Sequence, residues 1–392
     1  MRLNHGIHLG YCTNIHRGES WEETFASLRD HTLEVKRAVC PDAPFAIGLR
    51  LSAKAAEELS RPGELTSFRH WLDQTDTYVV TINGFPYGQF HQSRVKEEVY
   101  RPDWTTPERL EYTKLLFRIL TEISPDQGSL SVSTLPGSFK EFLAKDEGRQ
   151  RNAIFSNLLR CHEFLADLSA SSGQDLHLGL EPEPLGLFET SQETTEFFSE
   201  LLDATSLPEQ DVLQTLGVNY DTCHLAVEYE EAADAIHHLT GAGLRISKLH
   251  LSSALALTPS EESLARLKSY EEPVYLHQVI QKDDRGRLSR FRDLDEAFSR
   301  LSTPDSWGEE WRIHFHVPLH ASPRAPFRDT RNHLLAAFDV MQKDPSLCTH
   351  WEMETYTWEV LPPDLRSNSV DDQLIKEYEW TLNELRSRQL AS

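Results

Sequence analysis

Strand-like and helix-like segments alternate along this chain, and the strand-like segments read as apolar on both faces. Such strands must be covered on both sides, which calls for a parallel sheet flanked by helices. Residues 7–12 (IHLGYC), 45–51 (FAIGLRL), 78–84 (YVVTING), 129–137 (SLSVSTLPG), 176–184 (LHLGLEPEP), 216–221 (LGVNYD) and 246–253 (ISKLHLSS) read as strands. Helical patterns fill 20–39, 53–72, 106–123, 150–171, 192–203 and 230–240. The first opens on a capping box, Ser20 with Glu23, and the third on Thr106 followed by Pro107. Seven units by residue 253 predict a (β/α)8 TIM barrel. A doubly wound sheet would bring a Gly-rich phosphate loop after its first strand, and GYCTNIHRGES is not one.

Residues 254–348 are too many for one crossover. A hairpin is expected over 273–294, turning at Asp284–Gly286, then a strand over 311–320, a helix over 327–342, a strand over 348–362 and a terminal helix over 376–389. That is one strand too many for eight. Either 311–318 or 349–356 closes the barrel, and the other lies beside it. The expectation is a single domain, 1–392, with an insertion at about 254–310 that adds a hairpin and an extra strand between strands seven and eight.

The net charge of −23 repels phosphate backbones and anionic membrane surfaces, so nucleic acid is a poor partner. No run of about 18 apolar residues predicts a membrane span, and MRLNHGIHLGYC lacks the features of a signal peptide. Five cysteines, at 12, 40, 161, 223 and 348, form no C-x-x-C pair. Reduced thiols in a cytoplasmic protein are expected.

In a βα barrel the chemistry sits at the C-terminal ends of the strands. Glu181 and Glu183 end the fifth, Asp221 ends the sixth with His224 just beyond, and His250 lies in the seventh. His314, His316 and His320 lie in or after HFHVPLH, and Glu354 lies in WEMETYTW. Glu354 alternates with Glu352, and at most one of them is expected at the mouth. Carboxylates and imidazoles meeting at one rim suit a divalent ion, Zn, Mn, Fe, Co or Mg. Each residue also has a structural use: Asp221 as the cap of a turn, His250 as a bonded core residue, His314 and His316 in an aromatic cluster with Trp311 and Phe315. The loop 85–92, FPYGQFHQ, reads as a lid in which Tyr87 and Phe90 seal the mouth, or as an ordinary connection.

The order of Glu on strand five, Asp-Thr-x-His on strand six, KLHL on strand seven and a late Glu resembles the sugar phosphate isomerase/epimerase group of xylose isomerase-like TIM barrels. More narrowly, HLGYCTNIHRGESWEETFASL, FHVPLH and ETYTWEVLP resemble the EboE family of metabolite traffic proteins. The resemblance implies Glu181, Asp221, His250 and Glu354 as metal ligands, Glu181 and Glu354 as acid/base carboxylates and His224 as a catalytic substrate contact. His314, His316 and Glu183 are further candidates for holding substrate. It implies a small polyhydroxylated metabolite handled in an ebo-type pathway, with other proteins of that pathway as partners. The chain departs from the pattern twice. The extra histidines leave His316 as an alternative fourth ligand, and HLSSAL stands where an acid usually follows the strand-seven histidine. Three readings follow: a metal-dependent isomerase or epimerase, a metabolite-binding protein without turnover, and an endonuclease on the same barrel, which the charge disfavours.

Overall fold

The computed structural model describes residues 1–88, 96–143, 146–271 and 275–392. Among them are thirteen strands, numbered in chain order. The first seven are β1 His8–Tyr11, β2 Phe45–Arg50, β3 Thr77–Asn83, β4 Ser129–Thr134, β5 Asp175–Leu180, β6 Leu216–Asp221 and β7 Ile246–Leu251. An insertion carries β8 Ala254–Leu257, β9 Val279–Lys282, β10 Leu288–Phe291, β11 Glu310–His316 and β12 Phe327–Asp329, and β13 is His350–Met353.

The main sheet runs β1-β13-β7-β6-β5-β4-β3-β2, every pair parallel. A parallel bridge from Cys12 to Gly48 joins its two edges. This is the expected (β/α)8 barrel, and β13 is its eighth strand. β11 cannot close it, because it pairs antiparallel with β8 and β9. A parallel strand needs a crossover, and the helix Arg331–Lys343 supplies it just before β13. At the seam, a Cβ on Gly48 would collide with Glu352 Oε1 and the Tyr11 carbonyl.

Three expectations need correction. The strands are buried on both faces, but they are not apolar on both. Leu176, Leu178, Leu249 and Trp351 belong to the hydrophobic core, while Ser131, His177, Lys248, His350 and Glu352 alternate with residues of that kind and are buried too. Part of the polar set is bonded to other strands: Ser131 Oγ donates to Thr81 Oγ1 of the neighbouring strand at 2.8 Å, and His350 Nδ1 reaches Ser131 Oγ across the barrel at 2.8 Å. Burial holds His350 down at about 3.

Second, the insertion is larger than a hairpin and one strand. Its five strands form an antiparallel sheet, β10-β9-β11-β8-β12, with a core of its own that includes Leu255, Trp311 and Phe315. It runs past residue 310, to β12. The hairpin exists as β9 and β10; residues 273–274 of its expected span lie outside the described ones.

Third, the helix expected over 20–39 keeps its Ser20–Glu23 capping box but is interrupted by a π-helical turn at Leu28–Thr32. Thr106 occupies the cap position without capping, since its hydroxyl donates to the Asp103 carbonyl at 3.2 Å. No helix among the described residues is long and apolar enough to cross a membrane.

Candidate active site

Each strand end delivers its polar residue for a local reason. After β5, Pro182 and Pro184 have no N–H for the ladder, so the strand stops and Glu181 and Glu183 come free at the mouth. After β6, Asp221 caps the short helix Thr222–Val227, its Oδ1 accepting from the backbone N–H of Cys223 at 2.7 Å and of His224 at 3.0 Å. Capping turns the chain so that His224 faces back across the mouth. The cap reading of Asp221 is therefore correct for one oxygen. Oδ2 is buried and makes no hydrogen bond.

That orphaned oxygen points to a cluster. Glu181, Asp221, His250 and Glu354 are all buried, and each offers a ligand atom within 4.8 Å of the others. His250 Nδ1 is at the centre, 2.7 Å from Glu354 Oε2, 3.1 Å from Glu181 Oε1 and 3.5 Å from Asp221 Oδ2. Its Nε2 lies 3.1 Å from Glu352 Oε2, which also takes the Lys248 ammonium at 2.6 Å. Glu354 Oε1 accepts from Asn14 Nδ2 at 2.8 Å and Asn83 Nδ2 at 3.2 Å, so Oε2 is left for the centre.

The electrostatics follow from crowding acids in a dry place. Burial alone would raise the Asp221 carboxyl, but the imidazoles of His224, His250 and His316 outweigh it and hold it well below the usual range. Burial works against a charged His250, yet Glu354 and Glu181 hold its pKa well above the usual value. Burial likewise opposes ionisation of Glu352, but Lys248 and His250 bring it down to about 2. Glu183 has no lysine beside it, and burial pushes it up to about 7, with His224 and Tyr100 pulling the other way. Four buried carboxylates, Glu181, Asp221, Glu352 and Glu354, face one buried lysine. With an unpartnered Oδ2 and an oxygen-rich, one-imidazole donor set, these residues fit a divalent cation.

Above the cluster lies a cavity of about 70 Å³. Glu181, Glu183, His224, His314 and Glu354 line it, with Phe85, Val99 and Tyr356 among its apolar walls. Asp221 and His250 lie beneath. His316 is not among the lining residues; its Nδ1 lies 2.6 Å from the Glu354 carbonyl. His320 stands apart from the cluster. The lid expectation fails for Tyr87, which packs on Tyr112 with ring centroids 5.0 Å apart. Phe90 lies outside the described residues. Phe85 and Pro86 line the cavity in place of Tyr87.

The sequence reading missed Lys248 and Glu352, and it had the signal to find them. Residues two apart on a strand share a face, so Lys248 must point where His250 does, and Glu352 where Glu354 does. Glu352 and Glu354 are both buried, at different depths, and of the two only Glu354 lines the cavity. Asn14 and Asn83 carry no comparable signal.

No family model matches this chain, and no curated protein matches it. Among solved structures it is similar to a D-allulose 3-epimerase from Methylomonas sp., with a TM-score of 0.52 at 11% identity over 98% of this chain and 100% of that one. A xylose isomerase domain protein from Planctomyces limnophilus gives 0.49 at 13% identity, covering 91% of each chain. The IolI protein with a bound zinc atom gives 0.46 at 11%, covering 97% of this chain and 99% of that one. At these identities the likeness concerns the fold alone, and it agrees with the (β/α)8 barrel described above. The site stands on its own geometry.

Proposed function

We propose that this chain is a divalent-metal-dependent isomerase or epimerase of a small polyhydroxylated metabolite, an EboE-like protein of an ebo-type pathway. The observation that carries the chemistry is the buried meeting of Glu181, Asp221, His250 and Glu354 on the floor of a cavity. These four would hold the ion. The pathway assignment rests on the sequence resemblance.

A bound divalent ion supplies a Lewis acid for the oxygens of a hydroxy-carbonyl unit. The chain's own groups do the rest. Glu181 and Glu354 both line the cavity, so either carboxylate can reach a substrate bound there. One takes the proton from the carbon beside the carbonyl. Return of a proton to the other face gives an epimer, and return to the neighbouring carbon gives an isomer, so no oxidant is needed. Glu183, half-neutral near pH 7, and His224 and His314 face substrate hydroxyls. Phe85, Val99 and Tyr356 keep water out.

The test is exchange of carbon-bound hydrogen in heavy water, screened over ketoses, polyols and cyclitols with metal-loaded protein. Exchange with one of them, abolished in Glu181→Gln and Glu354→Gln, is expected. A second reading, a binding or traffic protein using the same cavity without turnover, is favoured by Ser252, which stands where an acid is usual. Tight binding of a polyol without any exchange would replace the first reading with the second.

A further inference from the structure

The helix Thr222–Val227 has six residues. That is about 9 Å at 1.5 Å per residue, too short to hold its own shape. Its position therefore depends on what grips its two ends. At the N-terminal end the grip is Asp221 itself: Oδ1 caps the helix, and Oδ2 of the same carboxylate belongs to the metal cluster. His224 sits on the first turn. A tilt of this helix would move the cap, Oδ2 and His224 together.

The insertion grips the C-terminal end. Arg312 of β11 donates from Nη1 to the Ala226 carbonyl at 2.6 Å. Its Nε donates to Glu310 Oε1 at 2.9 Å, which fixes the plane of the guanidinium. That guanidinium lies 4.0 Å from the centroid of the Tyr229 ring, and the Tyr229 hydroxyl donates to the Glu310 carbonyl at 3.0 Å. Arg290 of β10 pairs with Glu228, and at 2.9 Å with Glu189 from the loop after β5. Ala226, Val227 and Glu228 are buried, so these bonds are shielded from water and stronger for it. Two cations at the C-terminal end also suit the helix dipole. Tyr229 has a φ of +61°, a left-handed conformation that a tyrosine keeps only where its surroundings over-determine it.

We propose that Arg312 is a positioning residue for the metal centre: from the insertion it clamps the far end of the helix that Asp221 caps, and so sets the direction of Asp221 Oδ2. The inference rests on the proposed metal centre. Arg290 and Tyr229 brace the same end. Arg312 belongs neither to the cluster nor to the cavity lining, so the insertion acts on the site at a distance as well as supplying part of its wall.

The test is a double-mutant cycle on Zn2+ affinity, measured on the chelator-stripped full chain by competition with a chelating dye. Arg312→Gln should weaken Zn2+ binding about tenfold, the low end of the range for residues that orient a metal ligand. Asp221→Asn keeps the capping oxygen and removes the anionic one, and should weaken binding more. With Asp221→Asn in place, adding Arg312→Gln should cost less than about twofold, because the ligand that Arg312 positions is gone. The same loss in both backgrounds, or undiminished affinity in Arg312→Gln, would overturn the inference and leave the metal centre standing. A wild-type chain that binds no Zn2+ would overturn both. If the Arg312 variants fail to fold, Tyr229→Phe removes only the hydroxyl contact and enters the same cycle. A smaller loss that vanishes beside Asp221→Asn is expected, and an unchanged affinity refutes the clamp.

Discussion

Glu377 offers a test whose magnitude follows from the structure. It lies in the helix Val370–Ser387 and is fully buried. Oε1 accepts from the Leu319 N–H and the Thr355 hydroxyl, each at 2.9 Å, while Oε2 has no hydrogen-bond partner. Among the described residues no cation is paired with it, and burial pushes its pKa up to about 7, with those two donors pulling the other way. In the unfolded chain a glutamate titrates near ~4.3. A folded-state value raised above the unfolded one means a contribution that is fully present below about pH 4 and is lost as pH rises through about 7. A shift of that size corresponds to on the order of 3 kcal/mol, nearly all of it lost by about pH 8. Glu377→Gln keeps the acceptor at Oε1 and cannot ionise. Urea denaturation of both proteins at pH 5 and pH 8.5, with the same metal loading, isolates the effect, because other titrating groups cancel in the difference. The variant should match the wild type within about 1 kcal/mol at pH 5 and exceed it by roughly 3 kcal/mol at pH 8.5. A difference that is the same at both pH values would show that Glu377 is not the buried, uncompensated acid described.

Lys248→Met strands the Glu352 carboxylate in the barrel interior and should cost about 3–5 kcal/mol in denaturation experiments; a loss under 1 kcal/mol would mean that water reaches the pair. Glu352→Gln removes the anion that holds the Nε2 edge of His250 and should weaken metal binding about 10–100-fold, measured by competition with a chelating dye. Gly48→Ala places a methyl against Glu352 and the Tyr11 carbonyl at the barrel seam, so it should sharply lower the yield of folded protein, and a normal thermal midpoint would count against that closure. Stripping the metal from the wild-type chain should lower its thermal midpoint, with restoration by excess Zn2+ or Co2+ and none by Na+.

The barrel was legible because its signal is local and repeated. Each apolar run and each helical period can be read without knowing what it packs against, and seven of them in order leave few architectures. The same locality explains the failures. The interior serines, histidines, Lys248 and Glu352 were absorbed into runs judged apolar, because burial on both faces was equated with apolarity. Their partners are on other strands, far away in sequence. Asn14 and Glu354, for example, are 340 positions apart. The closing strand has a physical clue in its length of crossover: 349–356 follows the thirteen-residue helix Arg331–Lys343, whereas only the seven-residue helix Leu294–Arg300 separates 311–318 from the hairpin. The five-stranded insertion was under-read for the usual reason that short strands such as β8 and β12 owe their existence to their neighbours.

The departure at HLSSAL bears on how Asp221 is held. Ser252 donates to Asp221 Oδ1 at 2.6 Å, beside the two backbone N–H groups of the cap. Three donors saturate that oxygen and fix the carboxylate plane, so Oδ2 is the only atom that Asp221 has to offer. A carboxylate at position 252 would repel Asp221 rather than hold it, and would bring one more negative charge to a site already rich in them. A serine there removes that charge from the floor of the mouth. Ser252→Asp should therefore weaken the hold on Asp221 Oδ1 and lower the affinity of the chain for a divalent ion, measured by competition with a chelating dye, whereas an unchanged affinity would show that the serine does not position Asp221 for the cluster.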